Sequence, residues 1–131
     1  MKEERLDDVP TEFPRIHDGF VGRKTRFTYH ARLAARPTLL FEAVVKYDLE
    51  TGASTTHEYG PGRFGSEAVF APRPNAKSED DGWLVSLVSS ESGESTLDVW
   101  DARDMARPPL ARVRIPRRVP LGFHACWVPA W

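Results

Sequence analysis

Four histidines and one cysteine are the side chains of this 131-residue sequence best suited to hold a metal or attack a substrate. His124 stands apart by its setting, Arg117-Arg118-Val119-Pro120-Leu121-Gly122-Phe123-His124-Ala125-Cys126-Trp127. A metal-capable ring lies there between apolar and aromatic neighbours, just after a proline and a glycine. That context predicts a buried imidazole held by backbone geometry. A buried imidazole needs partners, and one common partner is a transition metal. The competing reading is a core histidine hydrogen-bonded to the main chain. His57 falls in the polar alternating stretch Thr55-Thr56-His57-Glu58-Tyr59 and reads as exposed, as does His30. His17 lies beside Asp18 and reads as a solvated loop residue, although it could pair with that carboxylate. Cys126 reads as a buried, inert thiol rather than a reactive one.

Positioning such a ring requires a rigid frame, and composition limits what the frame can be. Hydrophobic residues make up 40% and charged residues 28%, enough for one modest folded domain. A net charge of −1 removes the electrostatic case for nucleic acid or an anionic membrane as partner. No apolar run approaches the ~20 residues a membrane-spanning helix needs. The start, Met1-Lys2-Glu3-Glu4-Arg5-Leu6-Asp7-Asp8, is too polar for a secretory signal. One cysteine excludes an internal disulfide, so a reducing, cytoplasmic setting is the simpler expectation. Eleven prolines and nine glycines leave little room for long helices.

The pattern along the chain is all-β. Residues 1–22 read as an extended N-terminal segment, since Val9-Pro10 and Phe13-Pro14 bias the chain away from helix. Residues 23–131 form the β portion. Strands are expected at Arg26–Ala34, Thr38–Tyr47, Ser54–Tyr59, Glu67–Ala71, Trp83–Ser89, Ser95–Asp101, Leu110–Ile115 and Gly122–Val128. Asp48-Leu49-Glu50-Thr51-Gly52 makes a tight turn with Gly52 at positive φ. Asp101–Met105 reads as a turn with one helical turn. Val45–Gly52 and Leu97–Asp104 share a faint repeat of strand, Asp and turn. Antiparallel strands recurring every forty to fifty residues or so are a mark of β-propeller blades. This chain holds about two such units, which leaves sheet edges open.

Motifs in fixed order resemble those of the carotenoid cleavage oxygenases. Glu12-Phe13-Pro14-Arg15-Ile16 and Gly22–Tyr29 are similar to the entry of that family's last portion. Lys46-Tyr47-Asp48-Leu49-Glu50-Thr51-Gly52, Gly60-Pro61-Gly62-Arg63, Glu67–Pro74 and Glu79-Asp80-Asp81-Gly82-Trp83-Leu84 follow. Val119-Pro120-Leu121-Gly122-Phe123-His124 closes the series. The matches run from Glu12 to Trp127, nearly the whole chain. The family includes carotenoid, apocarotenoid and lignostilbene dioxygenases and the retinoid isomerase of vision.

The resemblance implies a seven-bladed β-propeller, of which this chain supplies about two blades. It implies Fe(II) on the axis, held by four histidines, of which His124 matches the last. Glu67 matches a glutamate that hydrogen-bonds a ligand histidine. That role agrees with the chemistry: a ligand imidazole needs an acceptor on its second nitrogen, which fixes the tautomer. From its local sequence alone, Glu67 reads as a solvated strand carboxylate. Phe123, next to the ligand, is the candidate wall of a substrate cavity. The implied partners are O2 and an apolar conjugated small molecule, a carotenoid or a stilbene. Both oxygens would go to the two carbonyl products of C=C cleavage. Ala125 replaces the family's glycine. The other three ligand histidines would lie upstream, so the isolated chain is expected to be inactive. The alternative is a noncatalytic β module that binds no metal alone and associates, with itself or another chain, through open strand edges.

The remaining signals have plainer readings. Trp83, Trp100, Trp127 and Trp131 read as core or seam aromatics rather than tunnel walls. Glu79-Asp80-Asp81-Gly82 lacks the ligand spacing of a calcium loop and reads as an acidic hairpin turn. Arg117-Arg118 reads as a solvated loop.

Overall fold

A computed structural model describes residues 5–128 of the chain. Among them run nine strands, β1 (Thr11–Arg15), β2 (Phe27–Leu33), β3 (Phe41–Asp48), β4 (Ala53–Glu58), β5 (Arg63–Gly65), β6 (Val69–Pro72), β7 (Gly82–Ser90), β8 (Ser95–Asp101) and β9 (Ala111–Ile115), with a single 3-10 turn at Asp18–Phe20. Every pairing is antiparallel, with β1–β2–β3–β4 forming one four-stranded meander. A second meander is β6–β7–β8–β9. The short β5 joins them, pairing Gly65 with Phe41 of β3 and Arg63–Gly65 with Ser90–Val88 of β7. The result is an open sheet, all-β, with the two-blade organisation expected from the repeat.

Side-chain alternation explains how the meanders pack. Tyr29 of β2 and Val44 of β3 join Phe70 of β6, Leu84 and Val88 of β7, and Trp100 of β8 in one core cluster, with Tyr59, Ala68, Ala102 and Met105. The β-branched and aromatic content of these strands suits a pleated, buried face. At the outer edges the pattern reverses. All but one residue of β4 and of β9 are exposed, and β9 presents Arg112 and Arg114, a charged edge that discourages further pairing. Gly52, at φ 72°, closes the β3–β4 hairpin, where the Asp48 carboxylate accepts the Glu50 N–H at 3.0 Å.

Four local expectations need correction. Residues 1–22 are not all coil: Thr11–Arg15 pairs with β2 as an edge strand. Sequence patterning misses it because Phe13 and Pro14 bulge out opposite the single residue His30, shifting register between Glu12 and Arg15. β5 was not foreseen; three residues are too few to show alternation. Asp101–Met105 is a plain turn without a helix. Gly122–Val128 is irregular backbone rather than a strand, anchored by individual hydrogen bonds instead of a ladder.

Candidate functional site

The stretch Phe64–Ala71 is buried throughout and delivers Glu67 just ahead of β6. Its main-chain N–H donates to the Phe123 carbonyl at 3.3 Å, and its carboxylate Oε2 accepts the Ala125 N–H at 2.8 Å. Glu67 thus clasps the segment on both sides of His124. The His124 Nδ1 stands 3.7 Å from the same Oε2. Glu67 is therefore no solvated strand carboxylate; its side chain is 4% exposed.

His124 is not the buried ring that its apolar neighbours predict. Its side chain is 76% exposed, within an irregular segment that is itself mostly exposed. Its ring meets Phe13 edge-on, with centroids 4.7 Å apart. Phe13 also packs against Phe41 at 5.2 Å and Phe123 at 5.9 Å. Phe13 has φ +54°, an unusual conformation for a bulky residue. The bulge turns this ring toward the histidine segment and sets Arg15 with its Nη1 3.7 Å from Glu67 Oε1.

The Glu67 carboxylate stands on the Nδ1 side of the imidazole, 3.7 Å away and outside hydrogen-bond range. Among the described residues no cluster of three or more His, Cys, Asp or Glu is placed to hold a metal ion. The donor set therefore fits one ligand position with its supporting carboxylate, and no more. A cavity of about 280 Å³ adjoins it, with apolar walls from Val69, Val85, Leu97 and Trp127 beside Glu67 and Cys126. Phe123, the expected cavity wall, does not line that cavity; it is 47% exposed on the Phe13 side.

The other histidines stay away from this point. His30 is partly buried, its Nδ1 and Nε2 3.1 and 3.0 Å from the hydroxyls of Thr11 and Thr28. Burial holds its pKa below the usual histidine value. His57 is also partly buried, against Trp100 at 5.2 Å, and burial lowers its pKa too. Both were expected to be exposed. His17 accepts the Gly19 N–H at 3.0 Å and stacks on Phe70 at 4.8 Å, while Asp18 turns to Arg15. Cys126 is exposed, not buried. Trp100 is core, Trp83 lies under the Arg73 guanidinium at 4.9 Å, and Trp127 is 45% exposed. Arg117 and Arg118 are exposed, and Trp131 lies outside the described residues. Phe13 and Arg15 were missed as site residues. Both stand in the quoted Glu12–Ile16 motif, but the positive φ that aims them leaves no trace in residue type.

Comparison with known proteins follows this geometry. The sequence profile of the Retinal pigment epithelial membrane protein (RPE65) family matches residues 1–129. The chain is 38% identical over 142 residues to the Carotenoid 9,10(9',10')-cleavage dioxygenase 1 of Pisum sativum, covering 96% of this chain and 26% of that protein. It is 35% identical over 121 residues to the Apocarotenoid-15,15'-oxygenase of Synechocystis, covering 88% of this chain and 24% of that one. The crystal structure of cobalt-substituted Synechocystis ACO aligns with a TM-score of 0.87 at 33% identity, over 95% of this chain and 26% of the other. The chain thus spans about a quarter of the length of these relatives. Such structural neighbours are carotenoid-oxygenase propellers, so the two meanders are blades of that fold. No helix among the described residues is long and apolar enough to cross a membrane.

Proposed function

This chain belongs to the Retinal pigment epithelial membrane protein (RPE65) family, and from that membership we propose that it supplies two blades of an iron(II) dioxygenase that cleaves C=C bonds of carotenoids or apocarotenoids. The observation that carries the proposal is the Glu67 clasp: a buried glutamate whose main-chain N–H binds the Phe123 carbonyl and whose carboxylate accepts the Ala125 N–H and faces the exposed His124 Nδ1. In this reading His124 would be one iron ligand through Nε2, and Glu67 would fix its tautomer. When bound, ferrous iron supplies the redox chemistry that O2 needs to react with a closed-shell alkene. The chain's own part is to hold the ligand nitrogen in place and to offer apolar surface to a conjugated substrate. Phe13 packs against both the His124 ring and Phe123, and Trp127 walls the adjacent cavity. A stilbene substrate rests on the same chemistry, and the names of the relatives favour the carotenoid class. A cytoplasmic location belongs to the same proposal, supported by the single unpaired cysteine.

One ligand cannot retain iron tightly, so activity requires further histidines from outside these blades. The test is iron content and oxygen-dependent cleavage of an apocarotenoid by the complete enzyme carrying these blades. His124→Ala is expected to lose iron and turnover together, and unchanged iron occupancy overturns the ligand assignment. The second reading, a noncatalytic module that associates through its open sheet, draws support from exposed Leu121, Phe123, Trp127 and Val128 near the histidine. It requires the purified protein to form stable assemblies without iron.

A further inference from the structure

We propose that Arg15 is a positioning residue for His124, acting through Glu67 from the opposite blade; the assignment rests on the reading of His124 as a ligand. The two Glu67 oxygens face different partners. Oε2 accepts the Ala125 N–H at 2.8 Å and faces His124 Nδ1 at 3.7 Å. Oε1 faces Arg15 Nη1 at 3.7 Å, and Arg15 is the one Lys or Arg within ion-pair range of this carboxylate among the described residues. With its side chain 4% exposed, the carboxylate has given up most of its water, and a buried charge needs a nearby opposite charge to stay where it is. A cation on Oε1 keeps Oε2 pointed at the histidine segment. Without it the carboxylate is free to rotate toward solvent, away from His124 Nδ1.

Arg15 is itself held in three ways. Its carbonyl accepts the Thr28 hydroxyl at 3.1 Å, its Nη2 lies 3.5 Å from Asp18 Oδ1, and the β1 bulge at Phe13–Pro14 sets its register opposite Tyr29. The bulge includes Phe13 at φ +54°. Strained backbone of this kind persists where surrounding structure over-determines it, and it clusters at functional sites. Here one irregularity places two side chains on the site: the Phe13 ring against the imidazole and the Arg15 guanidinium against its carboxylate.

The experiment uses the full chain and reads the histidine directly. Nitrogen NMR of isotope-labelled imidazole, at about pH 8 where a free ring is neutral, gives the ratio of His124 Nδ1–H to Nε2–H tautomers. Amide exchange of Ala125 reads the clasp, and that of Leu84 in β7 reads the fold. Arg15→Gln is expected to lower the tautomer ratio roughly tenfold and to speed Ala125 exchange by about the same factor, with Leu84 unchanged. Arg15→Lys, which keeps the charge, is expected to restore most of both. An unchanged ratio in Arg15→Gln overturns the proposal, as does a change that Arg15→Lys fails to rescue. Should Arg15→Gln disturb Leu84, Asp18→Asn decides. Loosening this hold on the guanidinium is expected to lower the ratio, by less than Arg15→Gln does, and an unchanged ratio overturns the proposal. Neither readout involves iron, so failure of the ligand assignment and failure of this one are separable.

Discussion

Strand β6 has acidic residues at both ends, in opposite circumstances. Beyond its Pro72 end, Glu79 accepts the main-chain N–H groups of Arg26 and Phe27 and the Thr25 hydroxyl. Asp80 meets Lys46 at 2.7 Å, and Asp81 accepts the Lys77 N–H at 3.1 Å and faces Arg73 and Arg103. Lys46 also caps the Ala102 carbonyl and lies over the Phe27 ring. This end ties the two blades together, with each of the three carboxylates bonded inside the chain. Ahead of the Val69 end, Glu67 has one amide, one cation at 3.7 Å and an exposed imidazole. The difference teaches where stability and function part. The acidic turn is satisfied within the chain, whereas the histidine end keeps an exposed ring, which under the proposed function is where groups from elsewhere would join.

If that contrast holds, the largest stability loss should come from the acidic turn. Glu79→Ala strands two amides and a hydroxyl at the blade junction and is expected to cost about 2–3 kcal/mol, read as a lower urea midpoint at unchanged slope. A loss no greater than that of a substitution at Glu67 would erase the distinction.

Acid should act on the same end next. The Lys77 N–H and the Arg103 and Arg73 guanidinium groups hold the Asp81 carboxyl below its ordinary value. The Arg26 hydrogen bond holds Asp48 well below its own. A lowered folded pKa means stability that is fully present above the unfolded value, about 4, and lost as pH falls through the folded value. Melting temperature is therefore expected to be flat above about pH 7, to begin falling below about pH 6.5 because burial disfavours protonated His30 and His57 in the folded chain, and to fall further below about pH 4 as the carboxylates protonate. Asp81→Asn should flatten that further fall, and an equal slope in variant and parent would show that acid acts elsewhere.

Legibility in the sequence divides along the same line. The strands, their alternation and the paired-blade repeat rest on local pattern, and the acidic turn was readable as a hairpin from Glu79-Asp80-Asp81-Gly82. What those carboxylates grip was not readable, because Thr25, Arg26 and Lys46 are distant in sequence. At the other end, His124 and Glu67 were nameable from motif order, and the structure brings them together. Burial was misjudged for both His124 and Cys126, since apolar neighbours predict a covered segment only if the chain supplies the cover. The Phe13 bulge stayed invisible because a positive φ at a bulky residue is imposed by tertiary contacts and contradicts its propensity.

At the histidine end, Glu67→Gln keeps an oxygen for the Ala125 N–H and removes only the charge. Its stability cost is expected to be about 1 kcal/mol or less, while iron affinity of the complete enzyme falls roughly 10- to 100-fold. Chelator competition measures the second quantity. Equal losses at Glu67 and Glu79 in urea would make Glu67 another structural staple.

The smallest stability effect should belong to the residue with the largest functional one. The His124 side chain is 76% exposed, and its packing is limited to the edge of Phe13. Removing it leaves the Phe123 carbonyl and Ala125 N–H still bonded to Glu67, because both bonds are main-chain on the segment's side. His124→Ala is therefore expected to stay within about 0.5 kcal/mol of the parent in urea and to keep Ala125 amide protection. The same change should abolish iron retention in the complete enzyme, since no cluster of possible metal ligands among the described residues could replace the lost one. A stability loss comparable to Glu79→Ala would mean that the ring is a packing element, and the contrast between the two ends of β6 would then be one of degree.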